Sequence, residues 1–328
     1  MISRAITTLA MLAGGALLLP VPPAQAQTAV KVMSFRSITT LPLFAAQAKG
    51  FFAKQGLTVE ILAAPNSKEQ REGLAQGRFD IVQSAADNAV AMVETAKLDV
   101  VIVAGNDSGF QYLFVQPDIT SYDDIRGKSV VVDAPDTAFA LLLYKVLQNN
   151  GLKRGDYTVK SVGGTTQRLE AMTKDKGNAA GLLNPPYSFQ AEKAGMKNWG
   201  STVKMLGPYQ SGSTFVLRSW ARANGDTLVR YIAAFIEGSR WVRDPANKAE
   251  VVALLADRLK LSPDVAAQSY EIAVDPVSGI VADAKFDMEG FRNALRLRAE
   301  ILGTWGGSPP APDKYVDLSY YQKALASF

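Results

Sequence analysis

Between Val30 and Leu183 the sequence repeatedly passes from a short apolar run into a small polar loop. It then enters a segment whose apolar residues recur at helical spacing. That change of period marks alternating strands and helices and confines the chain to α/β architectures. The runs Val30–Phe35, Thr58–Ala63, Phe79–Gln83, Val100–Ala104, Gly127–Asp133, Tyr157–Ser161 and Ala179–Leu183 read as strands. Val100–Ala104 is apolar without interruption, as in a strand buried on both faces. Helices are predicted over Leu43–Gln55, Glu69–Gln76, Ala89–Ala96, Phe139–Asn149 and Thr165–Lys174, with Gly56, Gly77 and Gly151 placed to end them. From Asp226 the pattern is mostly helical: Leu228, Val229, Ile232, Phe235 and Ile236 share one face, and Lys248–Leu259, Pro263–Ile272 and Asp287–Leu302 follow. Trp305–Pro312 reads as a surface loop, and no internal repeat is visible.

Two extended stretches, Gln111–Val115 and Ser213–Leu217, bracket a self-contained βαβαβ unit. A unit inserted within another needs two chain crossings, and these stretches are the natural places for them. The expected division is a discontinuous first lobe, 27–112 with 216–328, and a second lobe, 113–215. Lobes joined only at two crossings are expected to move about a hinge.

The first 26 residues stand apart. Met1–Ala26 carries Arg4 as its single charge, then the apolar run Ile6–Leu19, three prolines and the triplet Ala24-Gln25-Ala26. A basic start, a short apolar stretch and an A-x-A end form the pattern of a cleaved secretory signal peptide, which predicts a periplasmic protein. No cysteine follows the run, so a lipid anchor at that point is excluded. No later stretch is apolar and long enough to span a bilayer, and the remainder is read as soluble. Removing the segment lowers the net charge from +4 to about +3, since it holds one arginine and no acid. The remaining basic residues are interspersed with acids, which gives nucleic-acid binding no support.

Two absences narrow the chemistry further. The chain has no cysteine and no histidine. It therefore folds without disulfides, and it lacks the general base of Ser-His-Asp and Cys-His catalysis as well as the commonest metal ligand. No metal or other cofactor is expected.

The blocks "LPLFAAQAKGFFAKQGLTVEIL", "LAQGRFDIVQSAADNAVAM", "SYDDIRGKSVVVDAPDTAFALLLYKVLQNNGL" and "GSTFVLRSWARANGDTLVRYIAAFIEGSRWVRDPAN" resemble successive parts of bacterial periplasmic solute-binding proteins. The similarity runs from about Val30 to Leu325. The nearest group serves ABC importers for nitrate, aliphatic sulfonates, taurine and thiamine-pyrimidine precursors. The resemblance implies a two-lobe, type II-like clamshell in which each lobe is a mixed sheet flanked by helices. It also implies a small-molecule solute held between the lobes, a membrane permease as partner, and a monomer. In such proteins the ligand loops lie at the C-terminal ends of strands, where open α/β sheets place their sites. Carried over, these are Ser37–Thr40, Ser84–Asn88, Asp136–Phe139, Thr165–Gln167 and Asn184–Tyr187.

The residue types in those loops suit a polar solute. Helix N-termini offer unpaired N–H groups and a partial positive charge. Ser37, Thr39 and Thr40 add hydroxyls beside one such terminus, although each would serve equally as a cap. Ser84, Asp87 and Asn88 precede a helix, as do Asp136 and Thr137, with the same two roles open to them. Thr165 and Thr166 are read as helix caps, one of them also within reach of the ligand, and Asn184 both donates and accepts. Phe110, Phe139 and Tyr187, with Phe35, supply aromatic cover. Charge selection stays open: Arg36 and Arg168 would neutralise an acid but read more readily as solvated surface arginines, whereas Asp87 and Asp136 suit N–H donors.

Two other functions fit the same pattern less well. Enzymes related to thiamine-pyrimidine synthesis share the fold, but the resemblance implies histidine-dependent chemistry there, and this chain has no histidine. A sensory module that reports occupancy to a signalling partner has the same sequence requirements as a transport receptor.

Overall fold

The computed structural model describes residues 27–328, so the expected signal segment Met1–Ala26 lies outside the described residues. In chain order the strands are β1 (Thr28–Ser34), β2 (Leu57–Ala63), β3 (Ile81–Ala85), β4 (Val100–Asp107), β5 (Tyr112–Val115), β6 (Ser129–Val132), β7 (Thr158–Ser161), β8 (Asn178–Leu183), β9 (Lys197–Ser201) and β10 (Gly212–Leu217). They form two five-stranded mixed sheets, ordered β2-β1-β3-β10-β4 and β7-β6-β8-β5-β9. In the first, β1 runs parallel to β2 and β3, with Val32 between Ile61 and Ile81, while β10 lies antiparallel to β3 and β4. In the second, β6 runs parallel to β7 and β8, and β5 lies antiparallel to β8 and β9. The sheets therefore repeat one topology, three parallel strands followed by an antiparallel one, although the sequence shows no repeat.

β3, β4 and β8 are buried along their whole length, which explains why their sequences lack alternation. The helix Gly225–Arg243 lays Leu228, Ile232, Phe235 and Ile236 against the first sheet and the helix Leu41–Ala48. Gly238 sits in its middle because the two helices approach closely. A Cβ there would lie 2.3 Å from the Pro42 carbonyl oxygen. The helix Met288–Leu302 packs against both Ala86–Glu94 and Ala138–Asn149, so one apolar cluster runs from Val82 and Ala86 to Leu141 and Tyr144 and joins the two sheets. Among the described residues no helix is long and apolar enough to cross a membrane.

Several expectations change in detail. The helix expected over Leu43–Gln55 divides into Leu41–Ala48 and Phe51–Lys54 about Gly50, whose φ of 74° only glycine adopts easily. Neither Gln111–Val115 nor Ser213–Leu217 is itself a crossing, because β5 belongs to the second sheet and β10 wholly to the first; the chain crosses beside them, at 108–111 and 207–211. Lys197–Ser201, unremarked in the sequence, forms the edge strand β9. The Trp305–Pro312 loop opens with a 3₁₀ turn, Thr304–Gly307, and the Trp305 ring packs 6.4 Å from that of Tyr315.

Candidate ligand-binding site

The C-terminal ends of β1, β2, β3 and β4 point toward those of β6, β7 and β8, and the loops that follow enclose a cavity of about 400 Å³. That size suits a small organic molecule. Of the residues singled out from sequence, Ser37, Thr39, Ser84, Asn88, Phe110, Thr137, Phe139, Thr165, Thr166, Asn184 and Tyr187 all line it, as do Phe35, Arg36 and Arg168. Loops from both sheets thus meet at one place.

The hydroxyls and amides are held in position by one another. The Ser37 hydroxyl accepts from the Thr39 N–H at 3.2 Å and pairs with the Thr39 hydroxyl at 2.7 Å. Asn88 donates to the Ser84 hydroxyl at 3.0 Å and to that of Ser67 at 3.3 Å. The Thr165 hydroxyl donates to Asn184 Oδ1 at 2.5 Å and accepts from Arg168 Nη2 at 2.8 Å. Three helices begin at the cavity: Ala86–Glu94, Ala138–Asn149 and Thr165–Lys174. Their N-caps Ala85, Thr137 and Gly164 give no side-chain hydrogen bond to the first turn. Orphan N–H groups and the positive ends of three helices therefore collect around one space.

Three expected residues sit elsewhere. Thr40 is buried behind the loop, donating to the Phe35 carbonyl at 2.5 Å and bonded to Ser34 at 3.0 Å. Asp87 is fully committed to Arg298 by two 2.7 Å hydrogen bonds, a buried bidentate pair. Asp136 turns its carboxylate to Arg71 at 3.0 Å and 3.3 Å. Neither Thr165 nor Thr166 is a cap: Gly164 holds that position, and the helix begins at Thr165.

The last two acids belong to a set of links between the two lobes. Arg71 reaches from the first sheet's helix Ser67–Ala75 to Asp136. The Ser67 N–H points to the Asp133 carboxylate at 3.3 Å and 3.4 Å, and Arg298 donates to the Asp136 carbonyl at 2.7 Å. On the outer side, Lys145 meets Glu300 at 2.5 Å. The structure is thus a form in which the two lobes already touch.

Sequence reasoning passed over the most unusual polar groups. Asp107, at the end of β4, is 2% exposed and lines the cavity. Burial pushes its pKa up to about 7 from an ordinary 3.8, while the Gly212 amide, the Ser211 hydroxyl and the Gly109 amide nearby pull it part of the way back. None of them reaches Oδ2 in hydrogen-bond geometry, and that atom is left without a partner. Gly212 is required beside it, since a Cβ there would fall 1.8 Å from Oδ2. Asn106 gives its amide N–H to the Thr39 carbonyl at 3.0 Å, which leaves its Oδ1 free. Arg168, expected on the surface, is 2% exposed and stacks 4.9 Å from the Phe139 ring. Burial lowers its pKa to about 10, opposed by the charge of Asp133. The strand-end rule applied to "AGNDSG" after Val100–Ala104 would have found Asn106 and Asp107.

Comparison with known proteins gives a consistent picture. The sequence profile of the NMT1-like family matches residues 23–256. Among curated proteins none matches the sequence. Solved structures match over nearly the whole chain. The ligand-binding component of an ABC-type import system from Staphylococcus aureus superposes with a TM-score of 0.75 at 16% identity, covering 91% of this chain and 99% of that one. The periplasmic nitrate-binding protein NrtA from Synechocystis PCC 6803 gives a TM-score of 0.77 at 16% identity, covering 92% and 89%. A mutant of DszB in complex with biphenyl-2-sulfinic acid gives 0.64 at 14% identity, covering 92% and 100%. At these identities the likeness establishes the periplasmic-binding-protein fold.

Proposed function

The chain belongs to the NMT1-like family, and on that premise we propose that it is an extracytoplasmic receptor that holds one small organic solute between its lobes and delivers it to an ABC import permease. The observation that carries this reading is the cavity of about 400 Å³ walled by strand ends of both sheets and by three uncapped helix N-termini. Such a site engages both lobes at once, so a bound solute stabilises the closed form by its differential affinity for it. Residues 112–206 and the flanking segments would then move as two bodies about the crossings at 108–111 and 207–211. The likeness to an ABC-type ligand-binding component supports delivery to a permease, and the nitrate-binding likeness supports an oxygen-rich or acidic solute. The helix termini and Arg168 suit a sulfonate or carboxylate on charge grounds, and they can also donate to the acceptor atoms of a polar heterocycle.

The DszB likeness favours a second reading, chemistry on the same scaffold. That reading is the weaker one for this chain, which has neither a cysteine nor a histidine to act as nucleophile or base.

Isothermal calorimetry over sulfonates, carboxylates, pyrimidines and amines, with the recovered solute weighed by mass spectrometry, tests the receptor reading. Binding at one site per chain with the solute recovered unchanged is expected. At a hundredfold excess over Kd the bound form gains about 2.7 kcal/mol, which appears as a raised Tm. A solute recovered chemically altered would overturn it in favour of an enzyme.

A further inference from the structure

Two buried charges of opposite sign line the cavity, one from each lobe, and neither has an ionic partner among the described residues. Asp107 stands at the end of β4 in the first sheet, and Arg168 lies in the helix Thr165–Lys174 above the second. Both are 2% exposed. No cationic side chain comes within 4.0 Å of Asp107 and no carboxylate comes within 4.0 Å of Arg168, whereas the equally buried Asp87 and Arg298 satisfy each other. A buried charge without a counter-charge is costly, and two on facing walls of one cavity point to a common external partner.

Apart from the N-terminus of Ala86–Glu94 on the first-lobe wall, the neutral groups around each charge have the matching polarity. On the first-lobe wall, Asn106 Oδ1, Gln83 Oε1, Asn88 Oδ1 and Asp107 Oδ2 are all buried acceptors without donors. On the second-lobe wall, Arg168 spends Nε on the Leu182 carbonyl, Nη1 on the Gly163 carbonyl and Nη2 on the Thr165 hydroxyl. A guanidinium has five N–H donors, so two stay free. The N-termini of Ala138–Asn149 and Thr165–Lys174 add positive potential on the same side. Two other charged residues line the cavity. Arg36 is exposed, and half-buried Asp133 is engaged by the Ser67 N–H. Phe35, Phe110 and Tyr187 supply apolar wall.

We propose that the solute is bipolar, with an acid group against Arg168 and the second-lobe helix ends, an ammonium or N–H-rich group against Asp107 and the first-lobe acceptors, and an apolar middle. This rests on the receptor reading and names its ligand class; neither a simple oxyanion nor a simple amine satisfies both walls.

Calorimetry at pH 8 with two matched series tests it: 6-aminohexanoate, hexanoate and hexylamine, and 4-(aminomethyl)benzoate, 4-methylbenzoate and 4-methylbenzylamine. In at least one series the bipolar member is expected to bind ten times or more as tightly as either single-ended analogue. Asp107→Asn is expected to erase its advantage over the acid, and Arg168→Gln its advantage over the amine. If an acid or an amine alone binds as tightly as the bipolar compound, or if Asp107→Asn leaves the ratio intact, the bipolar assignment falls while the receptor reading stands. If none of the six binds, the bipolar assignment falls, and the receptor reading stands or falls on the wider screen of sulfonates, carboxylates, pyrimidines and amines. Circular dichroism and Tm of each variant establish that it is folded before its affinity is read.

Discussion

Asp107→Asn is expected to raise the melting temperature at pH 8 and to leave it nearly unchanged at pH 4. The folded-state pKa of Asp107 is about 7 against 3.8 for an ordinary aspartate, and burial is the main cause. Below pH 3.8 the group is neutral in both folded and unfolded chains and contributes nothing. Between about pH 4 and pH 7 the unfolded chain releases the proton while the folded chain keeps it, so stability falls as pH rises. Above pH 7 the full penalty is present, on the order of 4 kcal/mol as an upper bound. Asparagine keeps the shape and removes the charge. For a chain of this size that upper bound corresponds to a rise of at most about 8 °C at pH 8. Differential scanning calorimetry of both proteins at the two pH values checks it. An unchanged Tm at pH 8, or a gain that persists at pH 4, would show that Asp107 is not a desolvated carboxylate.

The second large effect is expected at the Asp87–Arg298 pair. Its two 2.7 Å hydrogen bonds lie fully inside the protein, and Arg298 also donates to the Asp136 carbonyl. Asp87→Ala leaves a buried guanidinium uncompensated, at a cost of about 3–5 kcal/mol. Arg298→Met strands the carboxylate with a similar loss. The double variant Asp87→Ala with Arg298→Met removes both charges together and is expected to recover much of that stability, because an apolar pair has no desolvation to offset. Urea unfolding of the four proteins measures the coupling. If the double variant is as unstable as the sum of the two single ones, the pair does not act as a unit. Affinity is expected to change less than stability in Asp87→Ala, since Asp87 does not line the cavity.

The fold was readable because its period changes are sharp. Val30–Phe35, Val100–Ala104 and Ala179–Leu183 are strands whose neighbours switch at once to helical spacing, and glycines mark the helix ends. β9 was missed for the opposite reason: Lys197–Ser201 is a half-exposed edge strand whose one apolar residue, Trp199, sits among polar and small ones, and no apolar period in the sequence marks its pairing to β5. The cavity lining was legible wherever a small polar residue followed a strand. What escaped was partnership across long sequence distance. Nothing local distinguishes Asp87 as a cap, a ligand or half of an ion pair, and its partner lies 211 residues away. Arg168 looked like a surface residue because it is charged, yet it shares with Leu169 and Met172 the buried face of its helix. Asp107 was lost by ending β4 at its last apolar residue. The strand runs three residues further, through Gly105, Asn106 and Asp107, because the antiparallel β10 continues to pair with it there.

The most direct test is native mass spectrometry of the protein incubated with the tightest-binding solute of the calorimetric series, beside the variant Thr39→Trp, whose indole would fill the space between the sheets. One guest per wild-type chain, released at its original mass on denaturation and absent from the variant, is the predicted result. A guest retained by Thr39→Trp, or released at a different mass, would contradict a passive receptor whose site lies between its two sheets.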